Sequence, residues 1–164
     1  MRLKDYLKNK LTKEEFEIFP TSFDIVGDIA IFVDLPKELT KKEKLIGNSL
    51  IKLHKNIKVV CKKIKKYSGK YRTSKLKIIA GENRKETMNA ENGCRFLLDI
   101  EKVYFSPRLG NERRRIANLV KPNENVLVMF SGCGPYTVQI AKKVNKVTAI
   151  EVNPAAHKYA LKNL

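Results

Sequence analysis

Residues 125–154 read NVLVMFSGCGPYTVQIAKKVNKVTAIEVNP. Asn125 to Phe130 is a continuous apolar run of strand length, and Lys146 to Val152 is a second. Between them Pro135 to Lys143 has helical character with proline at its first position, and the chain from Pro154 onward is helical again. A helix with a basic face is expected upstream, over Arg108 to Val120. The resulting order, helix-β-α-β-α, is the opening of a parallel doubly wound sheet. Such a sheet normally needs roughly five or more parallel strands, so two of them predict an incomplete domain with an exposed edge.

The glycine segment within this stretch carries the chemistry. Phe130-Ser131-Gly132-Cys133-Gly134-Pro135-Tyr136 sits at the carboxyl end of the first strand. Two glycines let the backbone turn sharply and a ligand approach, and the start of the next helix offers free N–H groups to a carboxylate. Glu151 falls at the end of the second strand, where an acid can accept both hydroxyls of a ribose. Together they predict an adenosine-containing cofactor, with Phe130, Gly132, Gly134, Glu151 and Val152 as contacts. A dinucleotide fingerprint would place a third glycine where Thr137 stands. Its absence, with Pro135 in the loop, favours S-adenosylmethionine over NAD. A glycine pair alone is often only a strand-to-helix turn; Glu151 in register is what adds specificity.

Upstream, strands dominate. Leu3 to Phe19 is helix-like, with Thr12 to Glu15 resembling a capping box. Phe23 to Leu35 reads as two extended pieces joined at Gly27-Asp28, and Lys37 to Lys55 as a lysine-faced surface helix. Residues 57–62 and 75–80 alternate as half-buried strands, and Asn92-Gly93 marks a hairpin. The sequence therefore predicts an α/β protein, made of a small α+β N-terminal domain over residues 1–105 followed, over residues 106–164, by the first part of a Rossmann-like domain.

Composition bounds the partners. The chain has 164 residues, 43% of them hydrophobic, enough for one ordinary domain or two small ones and too many for disorder. Its net charge is +17. Residues 41–85 hold 16 basic side chains against 2 acidic, whereas residues 1–40 are slightly acidic, so the excess belongs to one face that suits a phosphate backbone. The bland alternative is a solvated lysine-rich surface. No window is long and apolar enough for a membrane span, and residues 1–10 lack a signal-peptide core, which predicts a cytoplasmic protein. Cys61, Cys94 and Cys133 are odd in number and far apart, with only His54 and His157 besides, so neither disulfides nor a metal is expected.

Several spaced segments carry a more specific signal. KVYFSPRLGNER at 102–113, MFSGCGPYT at 129–137 and AIEVNP at 149–154 are preceded by AGENR at 80–84 and ENGCRFLLDI at 91–100. In this order they resemble the archaeal and eukaryotic class I tRNA (guanine-37 N1) methyltransferases, over a match running from about Ser22 to the last residue. The resemblance implies methyl transfer from S-adenosylmethionine to a guanine beside the anticodon, by a monomer that holds the anticodon arm. It assigns Glu112 the role of general base and Arg72, in GKYRTSKL, that of stabilising charge on guanine O6. It gives Tyr104 to the flipped base, places Arg108 with Tyr104 and Arg72 toward the tRNA, and puts Arg113 in the cofactor pocket. Without it, Glu112 reads as an ion-pairing residue in an Arg-rich first turn and Arg72 as one cation among many.

The chain departs from the family pattern in three places. Val128 stands where the family often has an acid, an Asn-Leu-Pro-type base-contacting motif would fall past Leu164, and the small tRNA-elbow domain has no counterpart before the match. Truncation, and inactivity of this chain alone, are the corresponding expectations. Two other functions stay open. One is wyosine-pathway methyl or aminocarboxypropyl transfer at the same nucleoside; alkylation of a side-chain carbon, unlike N1 methylation, need not use a base at Glu112. The other is a non-catalytic tRNA-binding fragment.

Overall fold

The computed structural model describes residues 2–64 and 69–164, and contacts divide the chain into two units. The first comprises residues 1–67 and 74–85; the second comprises 68–73 and 86–164. The division falls at Lys85/Glu86, whereas the change in sequence style suggested 105/106. Two of the sixteen cations of segment 41–85, Lys65 and Lys66, lie outside the described residues.

In the first unit, α1 (Leu3–Leu7) and α2 (Lys13–Ile18) precede β1 (Asp24–Val26) and β2 (Ile29–Phe32). A 3-10 turn (Lys37–Lys42) leads into α3 (Glu43–Leu53), and β3 (Val59–Lys63) and β4 (Leu76–Gly81) complete the sheet. Its order is β1-β2-β3-β4, antiparallel except for the β2/β3 pair, whose connection contains α3. The single helix expected over 37–55 is thus a 3-10 turn followed by an α-helix. Ile46 and Leu50 of α3 are fully buried in one core with Phe32, Val60 and Ile79. Gly47 permits the close approach, since a Cβ there would lie 2.5 Å from the Cβ of Ala80.

Strand β3 departs from the alternation expected of it. Val59, Val60 and Cys61 are all buried, because β3 lies between β2 and β4 with its apolar residues covered on both faces; polarity returns only at Lys62 and Lys63. The capping box is present: Thr12 Oγ1 accepts from Glu15 N at 3.2 Å and Glu15 Oε2 from Thr12 N at 2.9 Å. Thr12→Ala should lower the stability of the first unit by about 1 kcal/mol, read from the denaturation midpoint; an unchanged midpoint would mean that α2 frays without consequence.

The second unit opens with a hairpin, β5 (Glu86–Glu91) and β6 (Cys94–Asp99), turning at Asn92-Gly93, where both residues have φ near +50 to +70°. A 3-10 turn (Pro107–Leu109) and α4 (Gly110–Leu119) follow, then β7 (Asn125–Met129), α5 (Thr137–Ala141), β8 (Lys146–Ile150) and α6 (Pro154–Asn163). Strands β7 and β8 pair in parallel, Val128 beside Ala149. This is the helix-β-α-β-α order of a Rossmann-like opening. Two details differ. Helix α5 starts at Thr137 rather than Pro135, because Gly134 at φ +89° and a Gly134 N to Ser131 O bond hold the chain in a turn through Tyr136. Arg108 lies in the 3-10 turn, ahead of α4. Leu127, Met129 and Ile150 are each more than half exposed, as an open two-stranded sheet requires. Among the described residues no helix is long and apolar enough to cross a membrane, and no cluster of three His, Cys, Asp or Glu side chains is placed to hold a metal.

Candidate cofactor and nucleotide site

In the second unit a cavity of about 520 Å³ is lined by Lys70, Tyr71, Arg72, Tyr104, Phe130, Gly132, Glu151, Val152, Asn153 and Ala156. Two kinds of surface meet in it. One comes from the ends of β7 and β8. There Phe130 (φ +55°, 82% exposed) and Val152 present apolar faces. A left-handed backbone at a bulky residue is a strained conformation, of the kind that gathers at ligand sites. Glu151 lies between them. Its Oε2 accepts from Gly132 N at 2.7 Å and its Oε1 from Asn153 N at 2.7 Å. A carboxylate has about four lone-pair positions, so two remain for a diol. A Cβ added at Gly132 would meet nothing closer than 3.9 Å; here φ of +59°, not crowding, calls for glycine.

The other surface is cationic and aromatic. Arg72 has φ +50° in a turn closed by its N–H donating to Gly69 O at 3.1 Å. Its guanidinium lies 5.8 Å from the centre of the Tyr104 ring, and Lys70 Nζ lies 5.9 Å from that of Tyr71. Both tyrosines are 40% exposed.

The structure thus brings Arg72, Tyr104, Phe130, Gly132, Glu151 and Val152 to one cavity and leaves four other residues outside its lining. Gly134 serves the loop turn and accepts from Val138 N at 2.9 Å. Arg108 is exposed on the 3-10 turn. Glu112, in the first turn of α4, accepts from Arg115 Nε at 2.8 Å and Nη2 at 2.7 Å, and this pairing holds its carboxyl below the usual range. Arg113 is only 2% exposed and contributes nothing to the cavity wall. Its guanidinium grips Glu91 through Nε and Nη2 at 2.5 and 2.6 Å and donates to Ser106 O at 3.0 Å. The family resemblance implies a place for Arg113 in the cofactor pocket; here its side chain is turned inward, beside Phe105 and paired with Glu91. Cys133 is buried in the loop, and desolvation pushes its thiol up to about 12.

The sequence reading passed over Lys70, Tyr71, Asn153 and Ala156. For Asn153 a signal existed, since Asn-Pro after a strand is a helix start. The side chain caps α6 by accepting from Ala155 N at 3.0 Å and donates to Lys102 O at 2.8 Å. Lys70 and Tyr71 looked like any other part of a lysine-rich connection.

A model described as the TRM5/TYW2 methyltransferase domain matches residues 87–164, and one described as the TYW2 N-terminal domain matches residues 3–84. The chain is 48% identical over 145 residues to a tRNA (guanine(37)-N(1))-methyltransferase, Trm5b, of Pyrococcus abyssi, covering 88% of this chain and 44% of the relative. It superposes on Trm5 in a complex with tRNALeu with a TM-score of 0.90 at 39% identity, over 99% of this chain and 49% of the other. With Methanocaldococcus jannaschii Trm5 bound to adenosine the TM-score is 0.82 at 36% identity, over 99% and 48%. The chain spans about half the length of the relatives it matches.

Proposed function

The chain belongs to the TRM5/TYW2 methyltransferase family, and on that premise we propose that it serves S-adenosylmethionine-dependent methylation of N1 of guanosine 37 in tRNA. One observation carries the reading. A single cavity joins an acid-and-glycine wall suited to an adenosine with a wall bearing an exposed tyrosine and an arginine suited to a nucleobase.

The residues divide the work. Glu151, fixed by two backbone N–H groups, accepts the ribose hydroxyls on its remaining lone pairs, and Phe130 and Val152 flank the adenine. The cofactor supplies a methyl group already activated on a sulfonium. Tyr104 stacks on the extruded guanine and orients it. Glu112 takes the N1 proton, exchanging Arg115 for the guanine as its partner; apo sites often show the base not yet in place. As that proton leaves, charge moves to O6, where Arg72 stabilises it. Exposed lysines of the first unit, among them Lys41, Lys44, Lys55, Lys58 and Lys75, hold the phosphates of the anticodon arm.

Incubation of the complete gene product with S-adenosylmethionine and tRNA carrying guanosine or adenosine at position 37 tests the reading. Methyl should appear only on the former. Transfer to both would remove the specificity claim, and binding of tRNA with no affinity for the cofactor would favour a non-catalytic module. If the lysine face neutralises about four phosphates, tRNA affinity should fall roughly 100-fold between about 50 and 200 mM salt. A flat response would return those lysines to plain solvated surface.

A second reading has its own support. Glu112 is held by Arg115 outside the cavity lining, and the N-terminal match is to a TYW2 domain. Aminocarboxypropyl transfer to a side-chain carbon of a wyosine precursor need not use that base, and mass analysis of the modified nucleoside separates the two products.

A further inference from the structure

The tip of the β5–β6 hairpin is more polar inside than a turn needs to be. Glu91, whose side chain is 11% exposed, accepts from Arg113 with both oxygens, and its Oε1 also accepts from Gln139 Nε2 at 3.0 Å. Gln139, 5% exposed, donates through the same nitrogen to Pro135 O at 2.8 Å. Its Oε1 accepts from Asn92 Nδ2 at 2.9 Å, and Asn92 Nδ2 also donates to Gly110 O at 2.9 Å. Arg113 ties in Ser106 O. One connected set of hydrogen bonds therefore spans the hairpin tip, the first residues of α4, the linker before it, α5 and the glycine loop.

None of these side chains lines the cavity, yet the network borders two features that the proposed function uses. Arg113 and Gly110 bracket Glu112 on α4, and Pro135 closes the turn that begins at Gly132. In a buried setting each bond counts for more, and a half-satisfied network is costly, so its members hold a single arrangement. Gln139 hydrogen-bonds to the hairpin tip and to the glycine loop at once, as Asn163 does between Leu97 on β6 and the Cys133 carbonyl.

We propose that Gln139 is a positioning residue, which transmits the placement of the hairpin tip to the Pro135 carbonyl and so sets the glycine loop for the cofactor. The inference rests on the cofactor reading of the preceding subsection. It adds a determinant that lies behind the loop rather than in it. Removing the amide leaves Glu91 paired with Arg113 but frees the Pro135 carbonyl, and a loop that samples several shapes binds with lower apparent affinity.

Calorimetric titration with S-adenosylmethionine, alongside thermal denaturation, tests it. Gln139→Met keeps the volume and removes all three hydrogen bonds; affinity should fall about tenfold, or about 1.4 kcal/mol. Tyr159→Phe is the control. It deletes a part-buried hydrogen bond to Glu86 elsewhere in the same unit, and should lower Tm without changing cofactor affinity. Asn92→Gly keeps a residue that favours the positive φ of the turn, removes the Asn92 hydrogen bonds to Gln139 Oε1 and Gly110 O, and should weaken binding a few-fold, so it serves if Gln139→Met does not fold. Equal affinity of wild type, Gln139→Met and Asn92→Gly overturns the positioning role, as does weakening by Tyr159→Phe equal to that by Gln139→Met. No binding by the wild-type protein overturns the cofactor reading and this inference with it.

Discussion

If the proposed function holds, replacing Glu112 with glutamine should lower methyl transfer to guanosine-37 tRNA by about 10²–10⁴-fold, the range general bases commonly contribute, while S-adenosylmethionine should bind as before. The separation follows from where Glu112 sits. It is on the first turn of α4, outside the cavity lining, and its bonds go to Arg115 rather than to the glycine loop. The amide keeps the size of the side chain and one acceptor oxygen but cannot take the N1 proton. Loss of cofactor affinity in parallel with rate would show that the side chain supports the site instead of acting in it. A glutamine variant with full activity would favour chemistry that uses no base, as in aminocarboxypropyl transfer.

The acid dependence sharpens this. Hydrogen bonds from Arg115 favour the ionised form of Glu112, so its pKa lies below the usual 4.5. If the ionised form is the active one, kcat/KM stays level as pH falls from neutrality through 5 and drops only below the ordinary carboxylate range. Arg115→Ala should move that limb upward. The pair itself contributes little stability, because both partners are well exposed.

How far the site could be read from sequence depended on the kind of signal. Periodicity and turn residues identified the hairpin, the capping box and the helix-β-α-β-α order, since each is a local preference that packing reinforces. The glycine loop and Glu151 were legible for a similar reason: the ends of two parallel strands are adjacent by construction, and the Gly132–Glu151 hydrogen bond is that adjacency made visible. Arg72 and Tyr104 had no such link. They stand 32 positions apart, and only the family resemblance paired them before the structure placed the guanidinium near the ring.

Two departures came from burial that a one-residue reading cannot see. Val60 occupies a position that strand alternation assigns to the lysine side, but the middle of a four-stranded sheet is covered on both faces. Arg113 belongs to a run of three arginines, and nothing local says that the first points inward while Arg114 and Arg115 stay exposed. Its partner Glu91 lies 22 residues away in a turn whose Asn-Gly signal accounts for the hairpin without it.

That buried pair carries the largest expected effect on stability. Glu91→Ala should destabilise the second unit by about 3–5 kcal/mol, because it leaves a guanidinium that is 2% exposed with no counter-charge. Arginine does not escape by losing its proton, and the Ser106 carbonyl offers it a single hydrogen bond. Against a typical total of about 5–15 kcal/mol, such a loss approaches unfolding. Glu91→Gln, which retains an acceptor beside Arg113, should cost less. The informative construction is the double replacement Glu91→Leu with Arg113→Met, which removes both charges and keeps apolar volume. Desolvating two ions offsets much of their attraction, so the double variant should recover most of the stability lost by the single one. Denaturant titration of the three variants decides the matter. A double variant as unstable as Glu91→Ala would mean that the lost hydrogen bonds to Gln139 and Ser106, rather than charge imbalance, account for the instability.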